Sequence, residues 1–261
     1  MRAAVRQPDD WKDPLPVGSE AVPLDFSRPE TFAPALSGVS KVFLMRPPQI
    51  SDVQRFLFPL IDAAQAAGVR QIVFLSLMGA EKNQVVPHRK VEDYLQTAPV
   101  SWTILRPGFF MQNLSGTHRA DIADRDLIYL PAGRGKTSFI DGDDIAASAA
   151  HVLTTPGHDN RAYTLTGSKA LDYFEVAGIL SEVLGRTITY RPASLLGFAR
   201  HIHGQGHPWG FVAVMTGIYL TTRLGLAATI TDDLPRLLGR PPTPFRTFAQ
   251  RNAPLWKRSS H

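Results

Sequence analysis

Two side chains in the middle of the chain, Ser76 and His88, have the types and the setting for redox or proton-transfer chemistry. Ser76 follows the apolar run 71–75, which reads as a buried strand. His88 opens a helix whose buried stripe holds Val91 and Leu95. A strand-end hydroxyl can hold a carbonyl or a carboxamide. A histidine three residues before Val91 leans toward the same side and could donate a proton. The competing readings are a serine that only ends its strand and a helix-start histidine that faces solvent. A nucleophilic role for Ser76 is disfavoured, because a nucleophile elbow needs glycine two residues before the serine and Phe74 stands there. Lys90 lies off the stripe and reads as exposed.

Arg6 and Asp25 end the first two short strands. In dinucleotide-binding sheets a strand-end carboxylate contacts the adenosine, whereas the arginine fork suits a 2′-phosphate. Arg6 therefore points to NADPH over NADH, against the plainer reading of a solvated strand end. Two other stretches invite chemistry and fail its requirements. In 132–137 (AGRGKT) the phosphate-loop pattern needs glycine five residues before Gly135, where Leu130 stands. His201, His203 and His207 lie in the Gly-rich HIHGQGH, which offers no rigid frame for a metal, so none is expected.

These groups need a frame. Residues 2–6, 21–24, 39–44, 71–75 and 101–105 read as short strands, with a surface loop over 7–15. Helices are expected over 29–36 with Ser27 as N-cap, over 52–67 with Ser51 as N-cap and a kink at Pro59, and from Pro87 onward. Ligands of an open α/β sheet lie at the carboxyl ends of its strands, so Ser76, His88, Lys90 and the 106–113 turn should converge. Beyond these come strands at 127–130 and 137–140, read as one two-strand patch, a helix over 143–153 and a strand over 162–165. The alternation implies an α/β class with a parallel sheet covered on both faces. After Thr166 the pattern turns mainly helical. The expected domains are a nucleotide-binding unit over 1–167 and a smaller substrate cap over 168–261.

The chain has 261 residues, 44% hydrophobic and 20% charged, which fits a water-soluble globular protein. The apolar run 209–220 is too short to span a bilayer, and no signal peptide is visible. There is no cysteine, which excludes disulfides and a thiol nucleophile and suits the cytoplasm. Net charge is +5; from Ser181 onward ten Lys/Arg and three Asp/Glu give +7, leaving −2 for the rest. The basic residues are scattered, so an anionic cofactor or substrate accounts for them and nucleic acid is not required.

Several segments together resemble the NmrA-like, atypical short-chain dehydrogenase/reductase family. They are RAAVRQP (2–8), LDFSRPETFAPALSGVSKVFLMRPP (24–48), IVFLSLMGA (72–80), HRKVEDYL (88–95), VSWTILRPGFFMQNL (100–114), FIDGDDIAASAAHVL (139–153) and AYTLTG (162–167). The tail 220–256 is similar to members too. The resemblance implies a Rossmann-like fold with Arg6 at the adenosine 2′-phosphate and Asp25 with Phe26 near the adenine. It sets Met45, Arg46 and Pro47 along the ribose–pyrophosphate side and Ser76 near the nicotinamide, with Phe110, Met111, Gln112 and Asn113 closing over it. The Tyr-x-x-x-Lys pair of typical short-chain reductases is absent, since Ala98 stands four after Tyr94.

Family members carry a strand and a G-x-x-G-x-x-G turn ahead of the segment matching RAAVR, which here starts at residue 2. The expectation is therefore an N-terminally truncated sheet with weak or absent cofactor binding, because the turn cradles the pyrophosphate. The function implied is an NADP(H)-dependent reductase of a small carbonyl, enone or quinone. Ser76 and His88 would act on the substrate, and Phe109, Phe110, Trp209, Phe211 and Tyr219 would wall the pocket. The alternatives are a non-catalytic NADP-sensing protein with a protein partner, and a shortened form that binds no nucleotide.

Overall fold

The computed structural model describes residues 1–11 and 14–258. In chain order its regular elements are β1 (Arg2–Val5), β2 (Glu20–Pro23), α1 (Phe32–Leu36), β3 (Lys41–Met45), α2 (Val53–Phe56), α3 (Phe58–Ala66), β4 (Gln71–Leu75), α4 (Pro87–Thr97) and β5 (Ser101–Pro107). There follow β6 (Phe109–Phe110), α5 (Gln112–Ser115), α6 (Arg119–Arg125), β7 (Leu127–Leu130), β8 (Thr137–Ile140), α7 (Gly142–Thr154) and β9 (Arg161–Leu165). The last are β10 (Ala170–Leu171), α8 (Tyr173–Leu184), β11 (Thr189–Pro192), α9 (Leu195–Gly204), α10 (Trp209–Arg223), α11 (Asp233–Leu238) and α12 (Phe245–Asn252). The chain divides into two compact units, residues 1–106 with 149–163, and residues 107–148 with 164–261. The expected boundary at 167 instead groups 107–148 with the first part of the chain.

The first unit holds a four-stranded sheet in the order β3-β4-β5-β9 and a separate parallel pair, β1-β2. β3, β4 and β5 run parallel, with Leu44, Phe74 and Ile104 in register. All five residues of β4 are buried, as a parallel strand covered on both faces requires. Its core gathers Leu57, Ile61, Ile72, Phe74, Val91 and Leu95. Each fully buried aliphatic or aromatic side chain there contributes about 1.5–3 kcal/mol of transfer free energy.

Local chemistry explains three departures from the sequence reading. The 52–67 helix is two helices meeting at Leu57, because Pro59 lacks an N–H and is tolerated only in a first turn, here that of α3. Its N-cap is Asp52, which accepts from the Arg55 amide at 3.2 Å, and not Ser51. Ser27 caps nothing either; its amide and hydroxyl both donate to Asp25, and residues 29–31 form a 3₁₀ turn ahead of α1. In the 7–15 loop Pro8–Asp10 form another 3₁₀ turn, and residues 12 and 13 lie outside the described part.

The second unit is built on α8, α10 and α12 and two small sheets, β10-β8-β6 and β11-β7. β7 and β8 do not pair with each other; each finds a partner distant in sequence. Tyr173, Tyr219, Phe139, Phe198, Phe248 and Trp256 fill its core. The turn 132–137 is glycine-rich for packing: a Cβ on Gly135 would lie 1.9 Å from the Thr222 carbonyl oxygen of α10. Among the described residues no helix is long and apolar enough to cross a membrane.

Truncating the centre of the first core tests this account. Phe74 has no exposed surface, so Phe74→Ala should destabilise the chain by about 3–5 kcal/mol, read as a lowered urea midpoint.

Candidate functional site

The carboxyl ends of β3, β4 and β5 face the first turns of α4. His88 and Glu92 are four residues apart and therefore share one side of that helix. Ser76 sits just past β4, is 5% exposed, and donates its hydroxyl proton to Glu92 Oε1 at 2.5 Å. Arg106 grips the same carboxylate with both arms, Nε to Oε1 at 3.1 Å and Nη2 to Oε2 at 2.6 Å. Glu81 adds a second carboxylate 3.5 Å from Arg106 Nε. Burial works against the Arg106 charge, but the hydrogen bond and charge of Glu92, with Glu81, outweigh it and hold its pKa above the ordinary value. Glu92 is wholly buried, so the Arg106 fork and the Ser76 hydroxyl replace the water it has lost.

His88 lies beside this cluster. Its Nε2 faces the Arg46 Nε–H at 3.4 Å, and its ring lies 6.0 Å from the Phe74 ring. Facing that donor, Nε2 takes the acceptor role, which leaves the proton on Nδ1, a buried atom with no hydrogen-bond partner among the described residues. Burial first, and the Arg46 charge second, push the His88 pKa down to about 4. At neutral pH the ring is uncharged. Arg46 itself donates to the carbonyls of Pro47, Pro48 and Ile50 at 3.0, 3.2 and 2.5 Å, stapling the loop after β3. Lys90 is exposed, as its place off the buried stripe implied.

The remaining expected residues of the first unit meet elsewhere. A groove of about 1610 Å³ is lined by Arg6, Asp25, Phe26, Met45 and Pro47 among others. Asp25 is held below the ordinary carboxylate range by the Ser27 hydroxyl and amide, with further help from Arg6 and Arg28. Arg6 is exposed and has no hydrogen-bond or ion-pair partner among the described residues. It also borders a smaller hollow with Val5, Gln7 and Trp11. An unpaired arginine, an ionised carboxylate and an aromatic on one groove fit the phosphorylated adenosine end of NADP(H). Gly38 is the one glycine among the described residues lining the groove, so no glycine-rich turn borders it.

In the second unit the 110–113 turn is held from within. Gln112 Nε2 donates to Asp141 at 2.8 Å, and its Oε1 accepts from the Gly142 amide at 2.9 Å. Met111 is buried and Phe110 half-buried. The Asn113 carbonyl accepts from the His118 amide at 3.1 Å. The expected aromatic wall does not form one surface: Tyr219 is wholly buried against Phe109 and His118, while Trp209 stacks on His203 and Phe211 on His207. His201 turns to Asp121 at 2.6 Å. The three histidines of HIHGQGH thus face three different partners, and no metal-binding group is found among the described residues.

Glu92 is the residue that sequence reasoning passed over as a functional candidate; Arg106 was expected at the site as the start of the 106–113 turn, and of that turn it is the residue that meets Ser76 through Glu92. The four-residue spacing from His88 to Glu92 was the available signal. Nothing in the sequence gives the pairing with Arg106, fourteen residues later on another element.

Comparison with known proteins gives the family. A family model described as NAD(P)H-binding matches residues 1–156. NAD(P)H azoreductase of Xenophilus azovorans is 35% identical over 257 residues, 97% of this chain and 89% of that protein. The NADPH complex of a quinone oxidoreductase from Escherichia coli superposes with a TM-score of 0.84 at 25% identity, covering 96% of this chain and 89% of that one. The NADP(H) complex of Citrobacter sp. triphenylmethane reductase gives 0.80 at 27% identity, covering 90% and 84%. The chain belongs to the NAD(P)H-binding family, as an NmrA-like member of the atypical short-chain dehydrogenases/reductases.

Two outcomes are expected. Glu92→Ala leaves the Arg106 charge buried without its main partner and should lower stability by about 3–5 kcal/mol, measured by urea denaturation at pH 7. The second concerns pH. A histidine whose folded pKa is depressed stabilises above its unfolded pKa of about 6.5, and that stability is lost as pH falls toward the folded value of about 4. His88→Gln should therefore flatten the fall in the urea midpoint between those two values, a term of up to about 3 kcal/mol.

Proposed function

We propose that this chain is an NADP(H)-dependent reductase of small, electron-poor acceptors: a quinone first, with enones, carbonyls and azo compounds in the same class. The observation that carries the reading is the meeting of Arg6, Asp25 and Phe26 on one groove with Met45 and Pro47, in a chain whose first 156 residues match an NAD(P)H-binding family. The named activities of the azoreductase and quinone oxidoreductase relatives support the substrate class. Bound NADPH would supply a hydride.

The chain's own residues then have distinct tasks. Arg6 meets the 2′-phosphate, and Asp25 with Phe26 lies near the adenine. Arg46 keeps the loop after β3 in place through its three carbonyl contacts. The Ser76 hydroxyl proton is committed to Glu92, so Ser76 sets the strand end and is not a proton donor to substrate. Neutral His88, with its Nδ1 buried and its ring held against Phe74 and Arg46, positions the strand edge and is not the proton donor either. The proton that completes the reduction comes from water. This assignment favours quinones, whose reduced oxygens are stabilised anions that need no strong acid beside them.

Calorimetry and NADPH oxidation with a quinone panel test the reading. NADPH should bind at least about tenfold more tightly than NADH, about 1.4 kcal/mol, and Arg6→Ala should erase the preference. The rate should be flat through neutral pH, because His88 does not titrate there. No thermal shift with NADPH and no turnover would end this reading. Selective NADP⁺ binding without turnover would favour a redox-sensing role.

A further inference from the structure

We infer that the outer face of α10 is a contact surface for a second copy of this chain. The helix Trp209–Arg223 buries one stripe, Val212, Met215, Tyr219 and Thr222, in the core of its unit. Its other side is also apolar yet faces solvent: Trp209 is 57% exposed, Val214 60%, Ile218 37%, Leu220 37%, and Leu224 just beyond the helix 64%. No charged residue interrupts 209–222. A helix that is apolar all round is ordinarily covered on every side, and this one is covered on one.

Three observations select a second copy as the cover. The first is area. With the exposed Gly210, Ala213, Gly217 and Thr221 between the large side chains, the patch amounts to roughly 600 Å², the top of the range for the largest patch on a monomer. Two such patches bury about 1,200 Å² in total, the lower limit of specific interfaces. The second is charge. A neutral apolar face meets its own copy without like-charge repulsion, whereas a membrane-surface helix carries Lys or Arg along its polar side. The third is shape. Gly217 lies near the middle of the patch, and a Cβ built there meets nothing within 4 Å. An antiparallel two-fold pairing that crosses at Gly217 lets the two helices approach closely. It also sets Leu224 of one copy beside Trp209 of the other.

The absence of cysteine from the chain makes the test clean. Sedimentation of the full chain should show a dimer with a micromolar dissociation constant. The Val214→Glu, Thr221→Glu double variant should be a monomer with an unchanged melting temperature, since both residues are exposed. Gly217→Cys should oxidise to a disulfide-linked dimer, because a residue on the two-fold axis meets its own copy within bridging distance. Val85→Cys, 85% exposed and in the other unit, should not cross-link at the same concentration. A chain that stays monomeric at about 100 µM, whether or not it floats with anionic vesicles, would overturn the inference, as would a dimer that survives the double variant.

Discussion

The carboxylate of Glu92 is the constraint on which the first unit's ligand edge depends. It is wholly buried, and a buried anion persists only when its partners replace water. Ser76 from β4 and Arg106 from β5 do so, and Glu92 itself belongs to α4. One ion cluster therefore fixes the ends of two neighbouring strands to the helix that follows the first of them. His88, one turn earlier on that helix, is thereby held against Phe74 and Arg46. The same arrangement that anchors the edge decides which groups remain for chemistry. It removes the Ser76 proton from use and leaves a neutral imidazole beside a desolvated arginine.

The groups proposed to recognise the nucleotide follow a different logic. Arg6 and Asp25 stand at the ends of two paired parallel strands, β1 and β2, and share one groove with the end of β3. Asp25 is kept ionised by local hydrogen bonds from Ser27, two residues away, and so needs no distant partner. Arg6 makes no hydrogen bond or ion pair among the described residues, although its charge acts on Asp25. Arg106 is committed to Glu92, whereas Arg6 is the arginine proposed to meet the cofactor.

The second unit shows how aromatic packing can absorb residues that sequence alone marks as pocket walls. Tyr219 is engaged by His118, and burial pushes that histidine down to about 4. Trp209 and Phe211 stack on histidines of the neighbouring segment. The outer apolar surface of α10 is left facing solvent.

Much of this protein was determined by its sequence alone. The parallel α/β class, the strand 71–75, the helix from Pro87 onward and the buried pair Val91 and Leu95 follow from short-range periodicity, which is a local property. The strand-end positions of Arg6 and Asp25 were legible in the same way, whereas Phe26, Met45 and Pro47, which line the same groove, were named only through the family resemblance. Tertiary structure alone decided what depends on contacts between distant elements. It paired β7 with β11 and β8 with β6, and buried Glu92 against Arg106. It also set the protonation of His88, because that depends on how much water and which charges surround the ring, and no spacing along a chain encodes that.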